Sequence, residues 1–249
     1  MAYERKRFTQ HDKLLHAFNN GRSAFNPKGL ALDQDGHITY RSTIVGHIVE
    51  NYDESDFAFA VLTLDNYCLP TALARKLAQT SNQEGLKVVF VPAVDYGFGV
   101  PEGNYLTSKR HRALLTTVAK CSSDDIKTAA LMGTGDHETR PTRWKATAYS
   151  YNQFIGGYEK PFHAEATVAE YAAVAEISPE DRRAWLMDLE PCCNCLNDML
   201  EQGARSIKFM TAHKAKWNTP EYLDLCDKIQ MKEVLNCDGK PVIYDKEEL

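Results

Sequence analysis

Apolar positions along this chain fall into two patterns. In one, β-branched and aromatic residues crowd into short runs bounded by Gly, Pro, Asn or Asp, which marks a strand. "HITYRSTIVGHIVE" and "DFAFAVLTLD" are such runs and read as a strand pair, and "LKVVFVPAV" follows them. "IKTAALMGTGD", "RWKATAYSYN", "RRAWLMDLE", "RSIKFMTAH" and a short last "KPVIYD" repeat the pattern further on. In the other pattern, apolar residues recur at helical spacing between residues that start or stop helices. "QHDKLLHAFNNG" ends at Gly21, and "PTALARKLAQTSNQEG" has Pro70 near its start and Gly85 after its end. "YLTSKRHRALLTTVAKC", a segment from about Phe162 to Glu176, "PCCNCLNDMLEQG" and "TPEYLDLCDKIQMKEVL" read as the later helices. In "PCCNCLNDMLEQG", Pro191 takes the first helical position and Gly203 the end.

The stretch "VDYGFGVPEGN" carries three Gly and a Pro and predicts a domain boundary. Residues 1–100 then form a small α+β module, and residues 104–249 an α/β domain. Strands separated by single helices in the second unit imply βαβ crossovers and largely parallel strands.

Bulk properties narrow the functional classes. The net charge is −5, so no general field draws in nucleic acid or acidic membrane. No apolar run approaches the ~20 residues of a membrane span. The N-terminal "MAYERKRFTQHDK" has no apolar stretch behind its positive charges, so a cytoplasmic location is expected. The seven cysteines are odd in number and clustered. That fits a reducing compartment with a metal site better than a disulfide framework.

The clustered cysteines carry the chemistry. Cys192 and Cys195 stand three apart at the start of a predicted helix, so both thiols project from one face. The helix N-terminus favours thiolates there. Two thiolates on one turn can hold Zn²⁺, and His163, at the head of the preceding helix, is the natural third ligand. Three protein ligands leave one corner open for water, as in catalytic rather than structural zinc sites. Glu165 lies two residues from His163 and can face the same pocket without ligating. Zinc lowers the pKa of its water to about 7, and a carboxylate in reach can move that proton to a substrate. Cys193 is adjacent to Cys192 and is expected to point away.

This spacing, H-x-E and then P-C-x-x-C, is the signature of zinc nucleobase deaminases. From about Tyr105 to Leu249 the chain resembles the cytidine deaminase-like superfamily, and within it most the deoxycytidylate deaminases. The residues that carry the likeness are "HAE" at 163–165, "EPCCNC" at 190–195, "MLEQGARSIKF" after it and "YNQFIGG" from Tyr151. The last is similar to the Tyr-Asn-Gly-Phe segment of that family. The resemblance implies an α/β/α domain with a mixed sheet and parallel last strands. It implies hydrolytic attack at C4 of cytosine, with Glu165 passing protons to N3 and to the leaving amine. It implies that Asn152 bonds the substrate sugar, that backbone groups near Ala164 and Glu190 read the base edge, and that the protein self-associates.

The chain also departs from that pattern. Thr167 stands where deoxycytidylate deaminases commonly carry Asn, which weakens any inference about a phosphate. "LEPC" is also similar to tRNA adenosine deaminases. Residues 1–100 resemble nothing nameable. Among other residues, Trp217, with Lys214 and Lys216, suits phosphates and base stacking. "SKRHR" from Ser108 reads as a solvated helix face. Phe154, Tyr158 and Phe162 are candidates for the wall of a base pocket or for plain core. The sequence therefore points to a zinc-dependent deaminase of a pyrimidine nucleotide, with dCMP as the expected substrate. Two rivals remain: a deaminase of cytosine or adenine in single-stranded DNA or RNA, and a catalytically silent zinc-bearing partner subunit.

Overall fold

The computed structural model describes residues 30–40, 43–50, 57–64, 71–92, 115–124, 127–134, 145–156, 158–212 and 219–233. The expected helix before Gly21, the "SKRHR" face, the strand "KPVIYD" and Trp217 lie outside them.

The described strands form one ten-stranded mixed sheet. In chain order they are β1 (Leu30–Leu32), β2 (His37–Tyr40), β3 (Thr43–Val49), β4 (Phe59–Leu64), β5 (Lys87–Pro92), β6 (Ala129–Thr134), β7 (Lys145–Tyr151), β8 (Ala184–Leu189), β9 (Ser206–Thr211) and β10 (Gln230–Glu233). The helices whose two ends are described are α1 (Thr71–Gln83), α2 (Ala164–Val174), α3 (Cys193–Glu201) and α4 (Pro220–Cys226), with a further helical stretch at 115–119 and a 3₁₀ turn at Pro179–Arg182. The sheet order is β1-β2-β3-β4-β5-β7-β6-β8-β9-β10. α1 connects parallel β4 and β5, and α3 and α4 connect parallel β8, β9 and β10.

Alternation along the central strands builds two cores. On β4, Ala60 and Leu62 face one side while Phe59 and Val61 face the other. Val88 and Phe90 oppose Val89 on β5, and Leu186 opposes Trp185 and Met187 on β8. A sheet apolar on both faces must be covered on both. α1 covers the first face with Ala74, Leu77 and Ala78; α2 and α3 cover the second with Val168, Ala172, Leu196 and Met199.

Two readings of the pattern change. "HITYRSTIVGHIVE" is not one strand but two, β2 and β3, which pair antiparallel with each other. "TPEYLDLCDKIQMKEVL" is helical only to Cys226; its second half becomes β10, parallel to β9. Lys, Glu and Gln favour a helix intrinsically, but an open sheet edge beside the segment supplies the pairing that overrides this preference.

The expected boundary near residue 100 lies outside the described residues. The strands on its two sides nevertheless pair directly: β5 meets β7 antiparallel at Phe90 and Tyr149. One core cluster runs from Leu32, Ile38 and Val45 through Leu62 and Phe90 to Tyr149 and Leu186.

The topology also fixes where a site can form. β7 and β8 are each antiparallel to β6, so they run the same way and end at the same edge. β9, parallel to β8, ends there too. Open α/β sheets bind ligands at the carboxyl ends of such strands.

Candidate metal centre and active site

Asn152 follows β7 at that edge, and Glu190 to Cys192 follow β8. After Asn152 the chain turns back, and Gln153 and Phe162 form an antiparallel bridge with backbone hydrogen bonds of 2.9 and 2.8 Å. This bridge delivers His163 to the same edge as the N-cap of α2. Cys192 is in turn the N-cap of α3, which begins at Cys193, so Pro191 precedes the helix instead of opening it. The two helices therefore bring their N-termini together.

The imidazole and the two thiols converge there. His163 Nδ1 lies 3.3 Å from Cys195 Sγ and 3.6 Å from Cys192 Sγ. The three ligand atoms all lie within 4.8 Å of one another. Tetrahedral Zn²⁺ with N at ~2.0 Å and S at ~2.3 Å sets N and S about 3.5 Å apart, so the donor set fits the ion. Cys193 packs against the second core cluster, away from this group.

The three donors are coupled through their protons. The Cys195 S–H donates to the Cys192 sulfur, which lowers the Cys192 thiol to about 4. The same bond, with burial, holds Cys195 in its thiol form. His163 is raised, first by its hydrogen bond to Cys192. Glu165 lies in the first turn of α2 and is buried. Burial pushes its carboxyl up to about 7, against the opposing pull of its own backbone N–H and of His163.

Of the expected substrate-binding residues, Asn152 and Ala164 bond each other, Glu190 is held separately at the end of β8, and Trp217 lies outside the described residues. Asn152 Oδ1 accepts the Ala164 N–H at 3.1 Å, and Asn152 Nδ2 faces Asp124 at 3.4 Å. The Asn152 backbone is held as well: its N–H donates to Thr128 and its carbonyl accepts the Ser122 hydroxyl. Asn152 and Ala164 are therefore one hydrogen-bonded pair, with the Ala164 N–H engaged inside it. The Glu190 N–H donates to Thr211 at 2.9 Å, tying the end of β8 to the end of β9. Thr167 bonds back to the His163 carbonyl with its hydroxyl at 2.9 Å, so the residue that departs from the resembled pattern is turned into its own helix.

Three features went unread in the sequence. The Tyr222 hydroxyl lies 3.0 Å from Glu190 Oε1 and 3.2 Å from the Pro191 carbonyl, so α4 clamps the turn before Cys192. Asn82 and Gln153, both buried, hydrogen-bond each other at 2.7 Å. Lys87 on β5 pairs with Glu170 on α2 and lies over the rings of Phe57 and Phe162. Phe162 and Tyr158 pack edge-on with Phe57 in that cluster. Only Gln153 left a readable sign: it stands where the Tyr-Asn-Gly-Phe pattern has Gly.

No protein-family profile and no curated protein matches the chain. Among solved structures, it is similar to a dCMP deaminase from the cyanophage S-TIM5, with 12% identity over 50% of this chain and 94% of that one, at a TM-score of 0.38. It is similar to the Rib2 deaminase of Aspergillus oryzae, with 16% identity over 56% of this chain and 93% of that one, also at 0.38. A guanine deaminase from Nitrosomonas europaea matches with 12% identity over 49% of this chain and 71% of that one, at 0.35.

Proposed function

We propose that this chain is a zinc-dependent hydrolytic deaminase that converts cytosine to uracil in a free pyrimidine nucleotide, with dCMP as its substrate. One observation carries the reading: an imidazole and two thiols within 4.8 Å of one another, with a buried carboxyl in the first turn of the helix that the imidazole caps. His163, Cys192 and Cys195 would hold Zn²⁺, which supplies an acidified water as nucleophile.

The chain's own groups do the rest. Glu165 would carry the two protons of the attacking water in turn, one to N3 and one to the departing amine of the base. Its burial excludes bulk water from the transfer path. The Asn152–Ala164 pair fixes the loop after β7 against the start of α2, where Asn152 would meet the sugar. Glu190, clamped by Tyr222 and Thr211, would border the base on the other side. The clustered thiols suit a reducing, cytoplasmic setting. Among the described residues no helix is long and apolar enough to cross a membrane.

The test is ammonia release from a panel of nucleosides, nucleotides, free bases and single-stranded oligonucleotides, with zinc measured on the same sample. Turnover of dCMP with about one zinc per chain is expected. Turnover of oligonucleotides alone, falling steeply with salt, would move the reading to a polymer substrate. Zinc without turnover of any substrate would leave the silent partner subunit.

A further inference from the structure

Gln153 occupies an unusual place in the chain. Its two neighbours on either side of the backbone bridge are site residues: Asn152 precedes it, and its bridge partner Phe162 precedes His163. Its side chain points the other way, into β5, and there behaves like a piece of strand. The Val88 N–H donates to Gln153 Oε1 at 2.7 Å, and Gln153 Nε2 donates to the Val88 carbonyl at 2.7 Å. The amide thus pairs with both backbone groups of one residue, as a neighbouring strand would.

The remaining capacity of that amide is also filled. Oε1 accepts from Asn82 Nδ2 at 2.7 Å, and Nε2 donates to Ser150 Oγ at 2.7 Å. Asn82 is satisfied in turn: Nδ2 also donates to the Leu86 carbonyl at 3.0 Å, and Oδ1 accepts the Tyr151 hydroxyl at 2.6 Å. The Asn82 carbonyl accepts the Gly156 N–H at 3.0 Å. Gln153, Ser150, Tyr151 and Val88 are fully buried. A buried polar network whose members are all satisfied specifies one arrangement, because every alternative strands a polar group without water. This network joins the end of α1 and the start of β5 to the loop that carries Asn152.

We propose that Gln153, held by Asn82, is a positioning residue that sets Asn152, His163 and Ala164 in register. The N-terminal strands and α1 are then part of the framework of the site. Gln153 touches neither metal ligand nor substrate; it acts through the 152–153 backbone and the Phe162 bridge. The inference uses the zinc-deaminase reading for its first readout and stands without it for its second.

The experiment takes the full-length chain and two variants. Gln153→Met keeps length and removes all four hydrogen bonds of the amide; Asn82→Ala leaves the Gln153–Val88 pairing and removes its partner. Leu77→Ala, an apolar truncation on the same helix, is the control for loss of stability alone. Zn²⁺ affinity is read by competition with a chromophoric chelator, and backbone hydrogen exchange is read at Phe162 and Ala164. Outer groups that orient ligands typically change metal affinity by about 10–100-fold. Gln153→Met is expected to weaken Zn²⁺ binding by about tenfold or more and to speed exchange at Phe162 and Ala164 beyond the rise seen in Leu77→Ala, with Asn82→Ala intermediate. Folded variants with wild-type zinc affinity, and exchange no faster than in the control, overturn the proposal. If wild type binds no zinc, the deaminase reading falls and the exchange comparison decides this proposal alone. If Gln153→Met does not fold, Asn82→Ala and the milder Ser150→Ala carry the same two readouts.

Discussion

Glu165 and Gln have nearly the same shape, so Glu165→Gln separates packing from proton transfer. The amide fills the same buried volume in the first turn of α2 and still accepts a hydrogen bond, but it cannot take up and release a proton. Positioned acid–base groups contribute about 10²–10⁴-fold to rate, so turnover should fall by at least that factor while bound zinc stays near the wild-type level. Equal turnover in the two proteins would remove Glu165 from the reaction. The ligands should behave in the opposite way: Cys195→Ser should lose both zinc and turnover, because its sulfur is buried at the centre of the cluster. A third thiol shows that position, not residue type, decides reactivity. Burial pushes Cys121 up to about 12, with Arg75 pulling weakly the other way. A raised thiol pKa stabilises the fold fully below the unfolded value near 8.5, and that contribution is lost as pH rises from there through about 12. At pH 8 Cys121 is therefore a neutral, enclosed thiol. Alkylation of the native protein at that pH should spare it, and alkylation in denaturant should not. Mass mapping of the labelled cysteines checks this.

At the scale of single elements, β3 carries a position that only glycine fits. Gly46 pairs with Leu62 on β4, and a Cβ there would come within 2.4 Å of the Val61 carbonyl oxygen. That neighbour is backbone in the middle of the sheet and cannot turn aside. Gly46→Ala should cost about 1–3 kcal/mol, read as a drop in the denaturant midpoint. An unchanged midpoint would mean that β3 and β4 separate more easily than the packing implies. Gly46 also shows what the sequence hides. Inside "STIVGHIVE" it reads as a mild interruption of a strand, because the atom it makes room for comes from a strand elsewhere in the chain. The helices beside the site were legible for the converse reason: their signals are local. Gly203, at φ +84° after α3, ends that helix as the pattern indicates. The grouping of His163 with Cys192 and Cys195 was legible because H-x-E followed by P-C-x-x-C matches a known zinc-site pattern; neither spacing alone joins the two segments. Tyr222 and Asn82 gave no such sign. Each reaches its partner across the fold, Tyr222 to Glu190 and Asn82 to Gln153, and nothing in its own neighbourhood announces it. The end of α4 was misread on the same ground, since the edge of β9 that captures β10 belongs to a separate stretch of chain.

For the molecule as a whole, the question is whether residues before and after the unassigned boundary melt together. Three observations tie them: β5 pairs with β7, Lys87 pairs with Glu170 across the second core, and Gln153 pairs with Val88 through its side chain. The metal would add a tie of another kind, joining the N-cap residues of α2 and α3. Anything bound only to the folded state stabilises it by mass action, about 4 kcal/mol at a free concentration a thousand times Kd. For a chain of this size about 1 kcal/mol moves Tm by roughly 2–4 °C, so removing zinc should lower Tm by about 10 °C. Calorimetry with and without a chelator tests both points at once. If the sheet is one cooperative unit, the zinc-loaded protein melts in a single transition, and chelation shifts the whole of it. The Cys192→Ser, Cys195→Ser double variant should melt where the chelated protein does and ignore the chelator. Two transitions, with only one of them sensitive to chelation, would mean that the strands up to β5 fold on their own and that the pairing at Phe90 is too weak to couple them. In that case the N-terminal strands could not hold the site through Val88, and the zinc affinity of Gln153→Met should match wild type in the same preparations.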